Sequence, residues 1–209
     1  GLGRPIVVGH LLGEVAKEAL VATSTAEIDD VVLVTKALGV EGTAIIASEL
    51  AGDLRGKGYS ADFVERARRF LYEPGISVYK DALTAADSRL VHAMTDATEG
   101  GLASALHEMA EAAGVGFLIE GEKVPVYAET KRICAEYNLD PLGLIASGML
   151  IMAVPASSSD ELCNKMMAEG VQCTAIGTVT DATEGLQLLR GGKCSDLPYY
   201  AVDELTKLL

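Results

Sequence analysis

The sequence predicts an α/β (α+β) protein in which a mixed sheet is covered by helices in a three-layer α/β/α arrangement. Three observations carry this. Short runs rich in β-branched residues alternate with stretches of helical periodicity along the whole chain. Glycines and the Pro74-Gly75 pair punctuate the junctions. No shift of composition marks a linker, so the 209 residues read as a single domain, 1–209.

In chain order, Pro5–Gly9 (PIVVG) and Ala19–Ala22 are short strand candidates, and Val31–Thr35 (VVLVT) is the clearest strand of the first third. It runs into a glycine loop over Lys36–Gly42 and a helix over Thr43–Leu50. No glycine there is followed by Lys and Ser/Thr, so this is not a Walker loop. Ser60 caps a helix running to Leu71, with Glu65 and Arg69 as an i,i+4 pair. Pro74-Gly75 breaks the chain before a helix over Ser77–Arg89. The stretch Val91–Gly114, VHAMTDATEGGLASALHEMAEAAG, follows. It is a short apolar run, a turn at Asp96–Thr98, and a helix with Leu102, Leu106, Met109, Ala110 and Ala113 on one apolar face. A strand over Val115–Ile119, a helix over Ala128–Tyr137, a turn over Asn138–Gly143 and a strand over Met149–Val154 come next. Ser158 and Glu161 have the spacing of a capping box for a helix to Glu169, which Gly170 closes. Val171–Val179 and Gly185–Leu189 read as a hairpin. Its turn, DATEGL over Asp181–Leu186, echoes Asp96–Gly100 but leads into no amphipathic helix, so it is not read as a second site.

Composition excludes several classes. Hydrophobic residues make up 49% and charged residues 22%, which suits a protein with a real core. The net charge of −13, from 17 basic and 30 acidic residues, argues against a nucleic-acid binder. Glycines and charges interrupt every apolar run short of membrane-spanning length, and no secretory signal is visible. The expectation is a cytoplasmic protein with neither a nucleic-acid nor a membrane partner. The four cysteines, at 134, 163, 173 and 194, form no CxxC pair and read as free thiols. His10, His92 and His107 read as isolated, with His107 on the outer face of its helix. Met149–Val154, Met166 and Met167 read as core.

The central turn carries the chemistry. Thr98 is the N-cap candidate, and Glu99 sits favourably at the positive end of the helix. Gly100 and Gly101 are poor helix formers, and their bare N–H groups are suited to a phosphate or another anion. Asp96 would hold Mg²⁺ directly or through water. The competing reading is a capped helix whose glycines allow close strand–helix packing. Lys36, Gly39 and Gly42 would form a second wall of the same cleft, or else an ordinary strand-to-helix turn with a solvated lysine.

Five stretches together carry a resemblance. They are RPIVVGHLLGEV, DDVVLVTKALGVEGTAIIASE, MTDATEGGLASALHEMAEAAGVG, VPVYAETKRICAEYNLDPLGLIASGMLIMAVP and CTAIGTVT. The most specific piece is Asp-x-Thr-x-Gly-Gly-Leu, formed by Asp96, Thr98, Gly100, Gly101 and Leu102. In this order and spacing the chain resembles the C-terminal domain of the aminoimidazole ribonucleotide (AIR) synthetase superfamily, in the branch of the HypE-type hydrogenase maturation factors. The resemblance implies a three-layer domain related to the ferredoxin-like fold. It would close over ATP and Mg²⁺ bound mostly by an N-terminal domain that these 209 residues do not contain. It also implies a homodimer in the full-length form, and activation of an amide or carbonyl oxygen by phosphoryl or nucleotide transfer. In the hydrogenase branch that reaction dehydrates a thiocarboxamide to a thiocyanate. This chain ends VDELTKLL rather than in the branch's Pro-Arg-x-Cys, and Glu41 stands where the branch places histidine. The expectation is therefore a paralogue whose single domain is inactive alone. The alternative is a non-catalytic scaffold for metalloenzyme maturation partners.

Overall fold

The computed structural model describes residues 6–10 and 12–209. Among them, seven strands form one mixed sheet in the order β2-β4-β1-β5-β3-β6-β7. The strands are β1 (Val31–Thr35), β2 (Ala93–Ala97), β3 (Val115–Glu120), β4 (Met149–Val154), β5 (Cys173–Asp181), β6 (Leu186–Arg190) and β7 (Lys193–Asp196). The helices are α1 (Val40–Glu49), α2 (Ala51–Gly56), α3 (Ala61–Arg68), α4 (Tyr79–Ser88), α5 (Gly101–Ala113), α6 (Ala128–Tyr137) and α7 (Ser159–Ala168).

Strand alternation divides the core. Val32 and Val34 of β1, Ile151 and Ala153 of β4, and Phe117 and Ile119 of β3 face Leu102, Leu106 and Met109 of α5. The intervening residues Leu33, Leu150, Met152 and Val154 face Ala85 of α4 and Leu162 and Met166 of α7. Six consecutive buried residues in β4 follow from this two-sided cover. A third cluster joins Ile46 of α1, Phe63 and Ala67 of α3, Ile133 of α6 and Leu144.

β4 runs antiparallel to both β1 and β2. Those two strands are therefore parallel to each other, and their C-terminal ends reach the same rim of the sheet. Register aligns a row along this rim. Asp96 lies opposite Leu150, the Leu150 amide donates to Thr35 Oγ1, and Thr35 lies opposite Cys173.

Several local expectations hold. Ser60 accepts from the Phe63 amide and caps α3, α6 and β4 have the expected bounds, and Gly170 takes a left-handed φ just past α7. Others are corrected. Ala19–Ala22 is no strand, because a 3₁₀ turn over Lys17–Ala19 leads into it. The Pro5–Gly9 candidate starts outside the described residues, and 6–9 carry no regular structure. Arg69 pairs with Glu73, and Glu65 with Arg68, because the helix tightens to a 3₁₀ turn at Arg69. The Ser158 side chain makes no cap, since a 3₁₀ turn over Ala156–Ser158 already holds it at φ −111° and ψ −9°. The β5–β6 hairpin does not form. β3 inserts between them, antiparallel to β5 and parallel to β6, and β6 makes its hairpin with β7. Met167 is 66% exposed, one step round the helix from buried Met166. His92 is not isolated, because its Nδ1 lies 2.9 Å from Asp30 Oδ1. His107 packs edge-on to Tyr199.

Candidate functional site

The rim is built from the loops that follow β1 and β2 and from the segment entering β4. Lys36 follows β1 directly with φ +56°, a left-handed value uncommon for a residue with a side chain. That turn sends its ammonium inward. Nζ donates to Asp81 Oδ2 at 2.7 Å, to the Gly148 carbonyl at 2.8 Å and to the Ser77 carbonyl at 3.0 Å. An ammonium has three protons, so its donors are all engaged. Asp81 Oδ2 also accepts from Thr35 Oγ1 at 2.6 Å. The expected solvated or phosphate-facing lysine is instead half of a buried ion pair that ties β1, α4 and the start of β4 together. It borders a cavity of about 470 Å³ with Ser77, Lys80, Tyr127 and Gln172.

The glycines of the next loop meet one side chain. A Cβ on Gly42 would come within 2.5 Å of Leu144 Cγ, and one on Gly39 within 3.0 Å of Leu144 Cδ2. The Gly42 amide donates to the Ile145 carbonyl at 3.2 Å. Their smallness lets the segment before β4 lie against the first turn of α1.

The Thr98–Gly101 turn is closed from within the chain. The N-cap of α5 is Gly100, at φ +73°, and not Thr98. The Thr98 carbonyl accepts from the amides of both Gly101 and Ala146. A Cβ on Gly101 would lie 2.5 Å from the Leu142 carbonyl oxygen and 2.7 Å from that of Leu144. The Gly100 amide donates to Asp203 Oδ2 at 2.7 Å, so a carboxylate of the C-terminal segment already sits at this helix start. The same segment is held by the Tyr200 hydroxyl, which donates to Asp140 Oδ2 at 2.7 Å. Burial, and then that hydrogen bond, push the Tyr200 hydroxyl up from its ordinary value. A groove of about 260 Å³ beside Gly100 is lined by Glu99, Glu108, Glu111, Asp203 and His107. Four carboxylates there oppose an anion. Asp96 lines neither this groove nor the cavity at Lys36. Asp96, Thr98 and Glu99 are nevertheless exposed along the rim.

The two predicted walls thus meet, but across protein. Gly39, Gly42, Gly101, Thr98, Lys36 and Asp96 all address the stretch Leu142–Leu150, through its side chains, its carbonyls or its register. Sequence reasoning missed this keystone, and with it Asp81 and Asp203. Asp81 had a signal, a carboxylate on the α4 face that also carries Val78 and Ala85. Asp203 had none short of the tertiary fold.

These features define a domain of a known class. The model of the family described as AIR synthase related protein, C-terminal domain, matches residues 27–188. The chain belongs to that family, as the motifs over 91–114 suggested. Among curated proteins, a putative hydrogenase expression/formation protein of Methanocaldococcus jannaschii is 29% identical over 217 residues, covering 90% of this chain and 63% of its own length. Carbamoyl dehydratase HypE of Rhodobacter capsulatus is 33% identical over 150 residues, covering 71% of this chain and 41% of its own. Among solved structures, E. coli HypE superimposes with a TM-score of 0.71 at 24% identity, over 88% of this chain and 54% of that one. A HypE in complex with ATP gives 0.67 at 20% identity, over 92% and 57%. At these identities the structural likeness shows a shared fold. The chain spans about half the length of most of these relatives.

Proposed function

We propose that this chain is the C-terminal half of an ATP-dependent, HypE-type protein, laid as a wall over a nucleotide held mainly by another domain. The family match and the relatives named carbamoyl dehydratase support this reading, as does the fold shared with a HypE in complex with ATP. The observation that carries it is the rim, where β2, parallel to β1, ends in exposed Asp96 and Thr98. The reaction class proposed is activation of a carbonyl or amide oxygen by phosphoryl or nucleotide transfer.

By themselves, the residues described here do not fit the phosphates of ATP. Lys36 is neutralised by Asp81, the Gly100 amide is taken by Asp203, and the nearest groove is acidic. Among the described residues no cluster of three or more His, Cys, Asp or Glu side chains is placed to hold a metal ion. This half's proposed share is therefore limited to Asp96, which would face a Mg²⁺ brought with the nucleotide, and to Thr98 beside it.

The test is calorimetric titration of Mg-ATP into the chain alone and into the chain joined to the N-terminal half of its M. jannaschii relative. The reading expects no binding alone, and binding in the joined protein that Asp96→Ala weakens about tenfold or more. Unchanged affinity in Asp96→Ala would remove Asp96 from the site. The carboxylate of Asp203 on the helix start favours a second reading, a non-catalytic docking module in metalloenzyme maturation. That reading expects no nucleotide binding even in the joined protein.

A further inference from the structure

At the Cys173 end of the rim's row, the chain brings two thiols into contact. Cys163 lies on α7 and Cys173 begins β5, and their sulfurs are 3.3 Å apart. Nothing in their sequence spacing announces this, since ten positions separate them. The fold explains it. Gly170, at φ +76°, turns the chain straight back from α7, and the Val171 amide closes that turn on the Met166 carbonyl. Leu162 and Met166 bury the inner face of α7 against the sheet, which sets Cys163 beside the first residue of the returning strand. Cys173 is fixed in turn by its pairing with Thr35 in β1. Both thiols are partly exposed, whereas Cys134 is buried and Cys194 lies apart on the sheet edge.

We propose that Cys163 and Cys173 form a reversible dithiol–disulfide site that locks α7 to the start of β5. The oxidant is a low-molecular-weight disulfide such as oxidised glutathione. The Cys163 thiolate attacks one of its sulfurs, breaks its S–S bond and expels one glutathione thiolate. Cys173 then loses its proton to solvent and attacks Cys163 Sγ in the mixed disulfide. That forms the internal S–S bond and releases the second glutathione thiolate. Two protein thiols are oxidised and one glutathione disulfide is reduced to two thiols. The order of attack follows from the pair's asymmetry. A hydrogen bond with Cys173 stabilises the Cys163 thiolate and lowers its pKa, while that same contact and burial raise that of Cys173.

The site is tested in the Cys194→Ser protein, which removes the exposed thiol. The protein is equilibrated over a range of reduced-to-oxidised glutathione ratios, alkylated, and mapped without reduction. Trypsin cuts after Lys165, between the two thiols, and a glutamate-specific protease separates Cys134 from Cys163. The expected result is a 163–173 cross-linked peptide that dithiothreitol abolishes. The thermal midpoint should rise by about 5–10 °C on oxidation, the effect of closing a short loop in a chain of this size. Cys163→Ser, at a partly exposed helix position, should remove both the peptide and the shift. Recovery of Cys163 and Cys173 only as separate glutathionylated or free peptides would overturn the proposal. So would a midpoint shift that survives in Cys163→Ser.

Discussion

Replacing Asp81 with asparagine tests how the rim is held together. The Asp81 and Lys36 side chains are 3% and 10% exposed, and the ammonium lies 2.7 Å from the carboxylate. Asparagine keeps the size but leaves a buried ammonium without its counter-charge, with only neutral oxygens, the Ser77 and Gly148 carbonyls and the new amide's own, to solvate it. Breaking one side of such a pair costs about 3–5 kcal/mol, far more than a surface pair of the same length. For a chain of this size that lowers the thermal midpoint by roughly 6–20 °C, and the urea midpoint by roughly 1–2 M. Urea unfolding followed by circular dichroism reads the change directly. The double variant Lys36→Met/Asp81→Leu removes both charges together and should recover more than half of the loss. It will not recover all of it, because the Thr35 hydroxyl loses its acceptor, at about 1 kcal/mol. A single-variant loss below about 1 kcal/mol, or a double variant as unstable as the sum of its parts, would show that the pair is screened by water.

Four further outcomes are expected. Gly101→Ala should cost about 3 kcal/mol or more, because φ is +63° and the new methyl would meet the Leu142 carbonyl oxygen at 2.5 Å. Gly52→Ala, with open space at its Cβ, should be neutral or stabilising by about 0.5–1 kcal/mol in the same denaturation assay. Asp203→Ala should uncap α5 at a cost of about 0.5–2 kcal/mol, seen as faster hydrogen exchange at the Gly100 amide. Tyr200→Phe should flatten the alkaline limb of the stability profile. Because the folded pKa lies above the ordinary value of 10.0, the tyrosine's contribution is complete below about pH 10 and is lost as pH rises beyond it. Wild type and variant falling in parallel above pH 10 would contradict that assignment.

The fold was legible wherever one periodicity ruled. Helices α5 and α6 and strands β1 and β4 declare themselves because burial on a face, or on both faces, leaves a mainly apolar pattern at a single period. The β5–β6 pairing was misread because nearness in sequence favours a hairpin. Nothing local says that Phe117 and Ile119, far earlier in the chain, will take the place between them. At the rim, the glycines stood out and their motif identified the family. Glycine marks close approach without saying what approaches, and here it is Leu144 and two backbone carbonyls. Lys36 misled for a similar reason. A lysine after a strand is usually solvated, and only the fold brings Asp81 to it from 45 residues away. The Cys163–Cys173 contact was hidden because it depends on the angle at which α7 returns to the sheet.

The stretch Leu142–Leu150 bears on how chains of this family can vary in length. One inserted residue between Ala146 and Met149 would either break the Thr98–Ala146 bond and the Lys36–Gly148 bond together, or slide β4 by a step. The slide would turn every second residue of a doubly covered strand to the wrong layer. Gly191 and Gly192, at the tip between β6 and β7, have open space where a Cβ would stand, and the tip is tied down by the Gly191 amide donating to Glu122 rather than by packing. Insertions and deletions among homologues should therefore accumulate at that tip and be missing from the approach to β4.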